Sequence, residues 1–267
     1  MISRAGSSWL GLYSLAVYAF LYLPIIVLIV YSFNGSGVGG FPPQHLTLAW
    51  YGLLFRDAAM WNAVENSLIV ALSAVGIAIA VGFPAAYSLD RFEFPAKALF
   101  RRLVLLPLIV PGIVTGISIL MLMVAAGVHL SLVTVILGHG TALIAIATTE
   151  LYAGLRKLDR GLEEAAADLG ANPRRTFFTI ILPLMKTSIV GTALLIFTLS
   201  MDEIAVTFFL IGRENTLPLE IWSRLRRGVT PEMNAISTLI FLFSLVTITI
   251  WQRLARAQPD KTMPMAT

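Results

Sequence analysis

Two adjacent carboxylates, Asp202 and Glu203, interrupt an otherwise apolar run over 187–211. A charge at membrane depth costs about 2.5–3.5 kcal/mol on insertion scales, so such a residue marks a pathway or an ion pair. If the run is one helix, the two acids diverge by about 100°. Glu203 then shares a stripe with Ser200 and Thr207, while Asp202 shares one with Thr198 and Gly191. On one reading a stripe lines a solute pathway and its acid attracts a cation. On the other, both acids pair with Arg on a neighbouring subunit. Hydrolytic chemistry does not fit the spacing, because Ser200 and Asp202 diverge by about 200° on a helix. The sequence holds no Gly-Lys pair and hence no P-loop, and no Gly-x-Ser-x-Gly elbow. None of His45, His129 and His139 is followed by Glu-x-x-His, and there is no cysteine. We therefore expect no catalytic residue, no metal site and no cofactor held by this chain.

A second constellation lies in the polar stretch 155–186. Ala-rich Leu162–Leu169 forms helix readily, with Asp159 as its cap and Glu163 and Glu164 near the positive end of its dipole. Gly170 permits the left-handed backbone that stops a helix. Asn172-Pro173 then marks a turn, and Pro173 opens a second helix through Arg174–Ile181. A helix, a tight corner and a second helix are expected here, outside the membrane.

The elements that must position these groups are membrane spans. The chain has 267 residues, 57% hydrophobic and 13% charged. A soluble domain carries about 25% charged residues, so a cytosolic enzyme, a disordered tail and a small secreted scaffold are excluded. A bilayer core of about 30 Å needs about 20 apolar helical residues. Six stretches qualify: 9–33, 64–89, 103–126, 130–152, 187–211 and 234–254. None alternates at period two, which excludes a β-barrel reading. The first is read as an uncleaved anchor.

Most of the 19 Lys and Arg fall on one side: Arg4; Arg91, Lys97, Arg101 and Arg102; Arg156, Lys157, Arg160, Arg174, Arg175 and Lys186; Arg253, Arg256 and Lys261. The other side holds Arg56, Arg213, Arg224, Arg226 and Arg227. Both termini are thus placed inside. The net charge of +4 follows from this topology and from anionic lipid, so no nucleic-acid partner is implied.

Within this frame a short amphipathic stretch is expected around Trp50–Phe55, and 127–129 is barely a turn. Pro107 and Pro111, with Gly112 and Gly116, kink the third span, either to face a pathway or to pack. His139, between Gly138 and Gly140, reads as a hydrogen bond across a close helix crossing, and Glu150 as the partner of a basic residue in the loop. Trp222 with Arg224, Arg226 and Arg227 reads equally as an interfacial helix or a protein-docking surface.

The loop carries a resemblance. Glu164-Ala165-Ala166, three residues, Gly170, nine residues, Ile180, one residue and Leu182-Pro183 resembles the EAA loop of ABC importer permeases at every signature position. Asn66-Ser67-Leu68 resembles the opening of their shared core. Phe197–Glu203, Thr216-Leu217-Pro218-Leu219, Thr230–Ala235, Phe41-Pro42-Pro43-Gln44 and Pro111–Gly116 look like the second permease of spermidine/putrescine-type importers.

The resemblance implies an all-α, six-span type I permease fold, N-in and C-in, as one domain over 1–267 with its core at about 60–255. It implies a bacterial inner membrane location and alternating access for a small cationic polyamine, with a 4-aminobutyrate-like compound as the alternative. An ion-coupled carrier or channel is the distant rival. Glu163, Glu164, Ala165, Ala166, Gly170 and Pro183 would form the ATPase-coupling site. Asp202, which matches the family's leading acid, would line the pathway ahead of Glu203, with Thr198, Ser200 and Thr207. The implied partners are a homologous permease, two ATPase subunits that bind ATP and Mg, and a periplasmic or lipid-anchored substrate-binding protein.

Overall fold

The structure is a computed structural model describing residues 4–36, 42–43, 45–228 and 230–256. Phe41, Gln44, Lys261 and the tail beyond 256 lie outside the described residues. In chain order the helices are α1 (Arg4–Tyr31), α2 (Ala49–Phe55), α3 (Ala58–Arg91), α4 (Lys97–Leu105), α5 (Gly112–Ala125), α6 (Leu132–Leu155), α7 (Gly161–Asp168), α8 (Pro173–Thr176), α9 (Leu182–Leu184), α10 (Lys186–Met201), α11 (Ala205–Leu210), α12 (Leu217–Arg227) and α13 (Pro231–Arg256). A 3-10 turn covers Leu106–Leu108 and a π-helical turn Phe177–Ile181. Among the described residues the only β-pairing is the isolated bridge between Asn34 and Leu46.

Three helices are long and apolar enough to cross a bilayer alone: Trp9–Tyr31, Ala58–Arg91 and Leu132–Leu155. The span expected over 103–126 is bent within itself, and a second bend lies at the entrance to the span expected over 187–211. Lys97–Leu108 meets Gly112–Ala125 at 105°, and Pro173–Leu184 meets Lys186–Met201 at 64°. Pro111 accounts for the first bend, since it cannot donate to the ladder and holds an extended ψ of 140° as the cap of α5. Pro84, by contrast, sits inside α3 without ending it.

The chain forms two compact units, one from 1–58 with 223–267 and the other from 59–222. In the first, no described side chain of α1 from Trp9 to Tyr31 is buried except at partial level. Beyond α1 the chain turns on itself: Trp50 Nε1 donates to the Asn34 carbonyl at 2.8 Å, and the Ser32 and Tyr51 hydroxyls meet at 2.6 Å. These bonds dock α2, the expected short stretch around Trp50. Arg224 bonds Asp57 and reaches Glu232 at 3.4 Å.

In the second unit α3 and α6 pack through small residues. Ala78, Phe83 and Ala86 of α3, Ala147, Leu151 and Leu155 of α6, and Ile181, Met185 and Ile196 form one buried cluster. A Cβ on Gly82 would stand 2.6 Å from that of Ala147, so only glycine allows this approach. Close backbone packing replaces the hydrophobic drive that is missing between helices in lipid.

Candidate functional site

The loop after α6 is built by local rules. Asp159 Oδ1 accepts from Gly161 N at 2.9 Å, closing the entrance to α7 one residue ahead of its Arg160 cap. Gly170 takes φ +80°, Gly170 N donates to the Ala167 carbonyl and Ala171 N to the Ala166 carbonyl, each at 2.9 Å. That is the paired Schellman closure of a helix end. Asn172 Oδ1 then accepts from Arg175 N at 2.8 Å, with Pro173 in the first turn of α8. The second helix does not run as a plain α-helix to Ile181: it loosens into the π-helical turn at Phe177, and Pro183 follows in α9. Phe177 makes edge-on contacts with Phe83 and Tyr87 of α3 at 5.6 and 5.5 Å between centroids.

Of the loop's predicted residues, Glu164, Ala165 and Gly170 are exposed and Ala166 is buried. Glu163 turns inward and bonds Arg91 at the end of α3, which also bonds the buried Asp90. The expected partner role of Glu150 is thereby corrected: Glu150 is exposed and forms no ion pair among the described residues, and Glu163 supplies the contact instead. A shallow groove of about 360 Å³ runs along α7 and the following helix, lined by Leu162, Ala165, Ala166, Leu169 and Arg175 among others.

The apolar run over 187–211 is not one helix. It stops at Met201, leaves Asp202 as C-cap, and resumes as α11 at Ala205. The expectation of two continuous stripes is corrected accordingly. Asp202 is exposed, and its side chain makes no hydrogen bond or ion pair among the described residues. Thr198 is also exposed, its hydroxyl donating to the Leu194 carbonyl at 2.9 Å. Glu203 behaves differently: its Oε1 accepts from Val206 N at 2.9 Å and so caps α11.

Ser200 and Thr207 do come together, on His139. Its Nδ1 is 2.8 Å from Ser200 Oγ and its Nε2 2.8 Å from Thr207 Oγ1. The imidazole therefore bridges both sides of the break, which is the crossing hydrogen bond its glycine neighbours foretell. Thr207 Oγ1 also meets the Glu203 carbonyl at 2.9 Å, and Thr134 Oγ1 donates to the Leu210 carbonyl at 2.7 Å.

Beside this bridge lies a cleft of about 230 Å³ whose lining includes Pro107, Gly112, Thr115, His139 and Glu203. Glu203 is its one carboxylate, so the kinked segment, the histidine and one acid of the pair face a common space. The three-residue spacing of Glu203 and Val206, that of a side-chain cap, is the signal in the sequence that marks this break. Among the described residues no three His, Asp or Glu side chains gather as metal ligands would.

The family described as the inner membrane component of binding-protein-dependent transport systems matches residues 78–262. The putrescine transport system permease protein PotI of Escherichia coli K12 is 37% identical over 268 residues, covering 96% of this chain and 94% of the relative. The spermidine/putrescine transport system permease protein PotC of the same organism is 36% identical over 253 residues, covering 94% of each. In fold, the chain is similar to a bacterial ABC transporter for import of the acidic polysaccharide alginate, with TM-score 0.71, 16% identity and coverage of 97% and 99%. It is also similar to the MetNI methionine ABC transporter, with TM-score 0.56, 16% identity and coverage of 79% and 99%. The chain is a multi-pass, all-helical membrane protein and belongs to the permease family of inner membrane components of binding-protein-dependent transport systems.

Proposed function

We propose that this chain is one half of the translocation pathway of an ATP-driven importer for small polyamines in a bacterial inner membrane. The observation that carries the reading is Glu203. It is the single carboxylate on a largely apolar cleft, in a chain whose 36–37% identical relatives are named as putrescine and spermidine permeases. An ammonium group that sheds water in such a cleft needs an opposite charge, and a carboxylate at membrane depth needs a cation. Glu203 is therefore placed ahead of Asp202 in the pathway, with Ser200 and Thr207 holding the His139 bridge beside it and Thr198 at its margin.

On this reading the chain folds as one permease domain over 1–267. It works with a homologous permease, a substrate-binding protein on the outside and two ATPase subunits that bind ATP and Mg. The chain itself binds neither and catalyses nothing. Glu163, Glu164, Ala165, Ala166, Gly170 and Pro183 form the coupling site. The exposed Leu162 and Leu169 beside Ala165 offer the ATPase an apolar contact next to a rigid Gly corner. Motion of α7 passes to α3 through Glu163–Arg91 and through Phe177 on Phe83 and Tyr87. It passes to α10 through the 64° bend, and so to the break that holds Glu203. Alternating access follows as a population shift driven by ATP binding and hydrolysis.

The test is uptake of labelled putrescine in cells carrying the full transporter, with excess 4-aminobutyrate as competitor. Glu203→Gln keeps an oxygen for Val206 N and removes only the charge. Its uptake should fall roughly tenfold or more, as for loss of a buried charge-assisted contact, while Asp202→Asn falls less. Competition by 4-aminobutyrate would move the substrate to that class, and unchanged uptake in Glu203→Gln would remove the carboxylate from the pathway.

A further inference from the structure

Outside the pathway, the ends of α3 and α6 and the start of α4 enclose a cleft of about 580 Å³. Its cationic lining is Arg91, Lys97, Arg101, Arg156 and Arg160, against the carboxylates Asp90 and Glu93. Both carboxylates are ion-paired, although the buried Asp90 Oδ1 has no hydrogen-bond partner. Asp90 bonds Arg91 and lies 3.5 Å from Arg160, and Glu93 holds Lys97 at 2.7 Å. Arg101 has only the Tyr152 ring, at 5.3 Å, and the Tyr152 hydroxyl, at 3.1 Å. Arg156 has no ion pair among the described residues. Arg91, with a side chain only 9% exposed, leaves its buried Nε without a hydrogen-bond partner. The cleft thus holds five cationic side chains against two carboxylates, with Arg101 and Arg156 in no ion pair among the described residues, an environment that suits a multivalent oxyanion.

The helix beside it says where that anion comes from. Lys97, Ala98 and Arg101 occupy one arc of α4 about 100° wide, facing the cleft. Leu99, Leu103 and, just beyond the helix, Leu106 project from the opposite arc, each more than half exposed. A short helix with a basic face and an apolar face lies in the headgroup layer, and basic pockets between helix ends on the inner side suit anionic lipid headgroups. We propose that this cleft is a phosphate oxyanion site occupied by the headgroup of an anionic phospholipid of the inner leaflet. Because Arg91 and Arg160 also hold the base of α7 through Glu163 and Asp90, occupancy braces the coupling loop. Free phosphate shares the recognising chemistry and is the other source.

The experiment uses the full chain in its native assembly, extracted in neutral detergent. It is titrated separately with short-chain phosphatidylglycerol, short-chain phosphatidylcholine and inorganic phosphate, and bound species are resolved by native mass spectrometry. Phosphatidylglycerol should be retained over phosphatidylcholine by roughly tenfold, and the double variant Lys97→Gln/Arg156→Gln should erase that preference. Arg102→Gln, on α4 but outside the cleft, should leave it intact. Arg156→Gln alone, an exposed side chain, serves if the double variant fails to assemble, and should lower the preference severalfold. Inorganic phosphate binding that depends on Lys97 and Arg156, without phosphatidylglycerol binding, supports the oxyanion site with a free ion as occupant. Equal losses in Arg102→Gln and the double variant, or no binding that depends on Lys97 and Arg156, overturn the site. Substrate uptake plays no part in the readout, so a failure of the polyamine reading is a separate result.

Discussion

The corner from Asp159 to Arg175 and the break from Met201 to Ala205 are both interruptions between helices, made in opposite ways. At the corner every turn-forming bond joins residues within five positions: Asp159 to Gly161, Ala171 to Ala166, Asn172 to Arg175. At the break the local side-chain bonds are few, Glu203 to Val206 N and Thr207 to the Glu203 carbonyl. The two ends are held by His139 on α6, and α11 is pressed against Gly116 of α5. On the proposed function the difference has a use: a device that transmits force to a separate subunit profits from a shape it keeps whatever its surroundings do. A segment that must open and close on a solute is better held by neighbours that can move.

That contrast can be broken at three places. The largest effect is expected where a helix leans on the break. A Cβ on Gly116 would stand 2.9 Å from Phe209 Cδ2 and 3.2 Å from both the Ala205 carbonyl oxygen and Val206 Cα. Two of those are backbone atoms and cannot swing aside. Gly116→Leu should cost about 3 kcal/mol, the upper end for overpacking, seen as loss of accumulated chain in membranes. Normal accumulation would mean that α11 is not held by α5, and the distinction drawn here would weaken.

A smaller effect is expected at the bridge. His139→Ala strips the buried Ser200 of its hydrogen-bond partner and Thr207 of one of two. An orphaned buried hydroxyl costs about 1–3 kcal/mol in soluble proteins, and interhelical bonds in membranes average about 0.6 kcal/mol. A loss of about 1–2 kcal/mol is the expectation, read as a lower unfolding midpoint of the purified assembly. His139→Gln, able to reach one hydroxyl but not both, should recover part of it. A stable His139→Ala would leave Glu203 as the sole organiser of the break.

The same contrast explains what could be read from the residues. Gly170, Asn172 and Pro173 declare their backbone roles by type, and the structure uses each as its chemistry dictates. Pro107 and Pro111 announce a kink, but its 105° depends on how α5 packs against α11 and α6. The break at Asp202 is not legible from the spacing of Glu203 and Val206 alone, because an apolar run with two acids reads as one helix unless the residue opposite is known. His139 lies far along the chain, on another helix. Glu163 reads as a dipole partner of α7, which its position allows; that it reaches Arg91 rather than water depends on where α3 ends.

The smallest and most discriminating effect concerns Gly170. No atom lies within 4 Å of the place a Cβ would take, so a side chain there meets no obstacle and only φ +80° opposes it. The left-handed region costs an L-residue about 1–2 kcal/mol, and Asn less because its side chain bonds locally. Gly170→Asn should therefore stay near wild type in uptake. Gly170→Ala should fall about fivefold, the factor that about 1 kcal/mol sets on an equilibrium, and Gly170→Val further, since a β-branched side chain tolerates positive φ worst. All three should insert and accumulate normally. Uptake ordered Gly, Asn, Ala, Val means the corner is specified by backbone alone. Equal uptake in Asn and Ala variants would mean that a docked partner, not the glycine, fixes the angle of α7, and the coupling loop would then depend on its neighbours just as the break does.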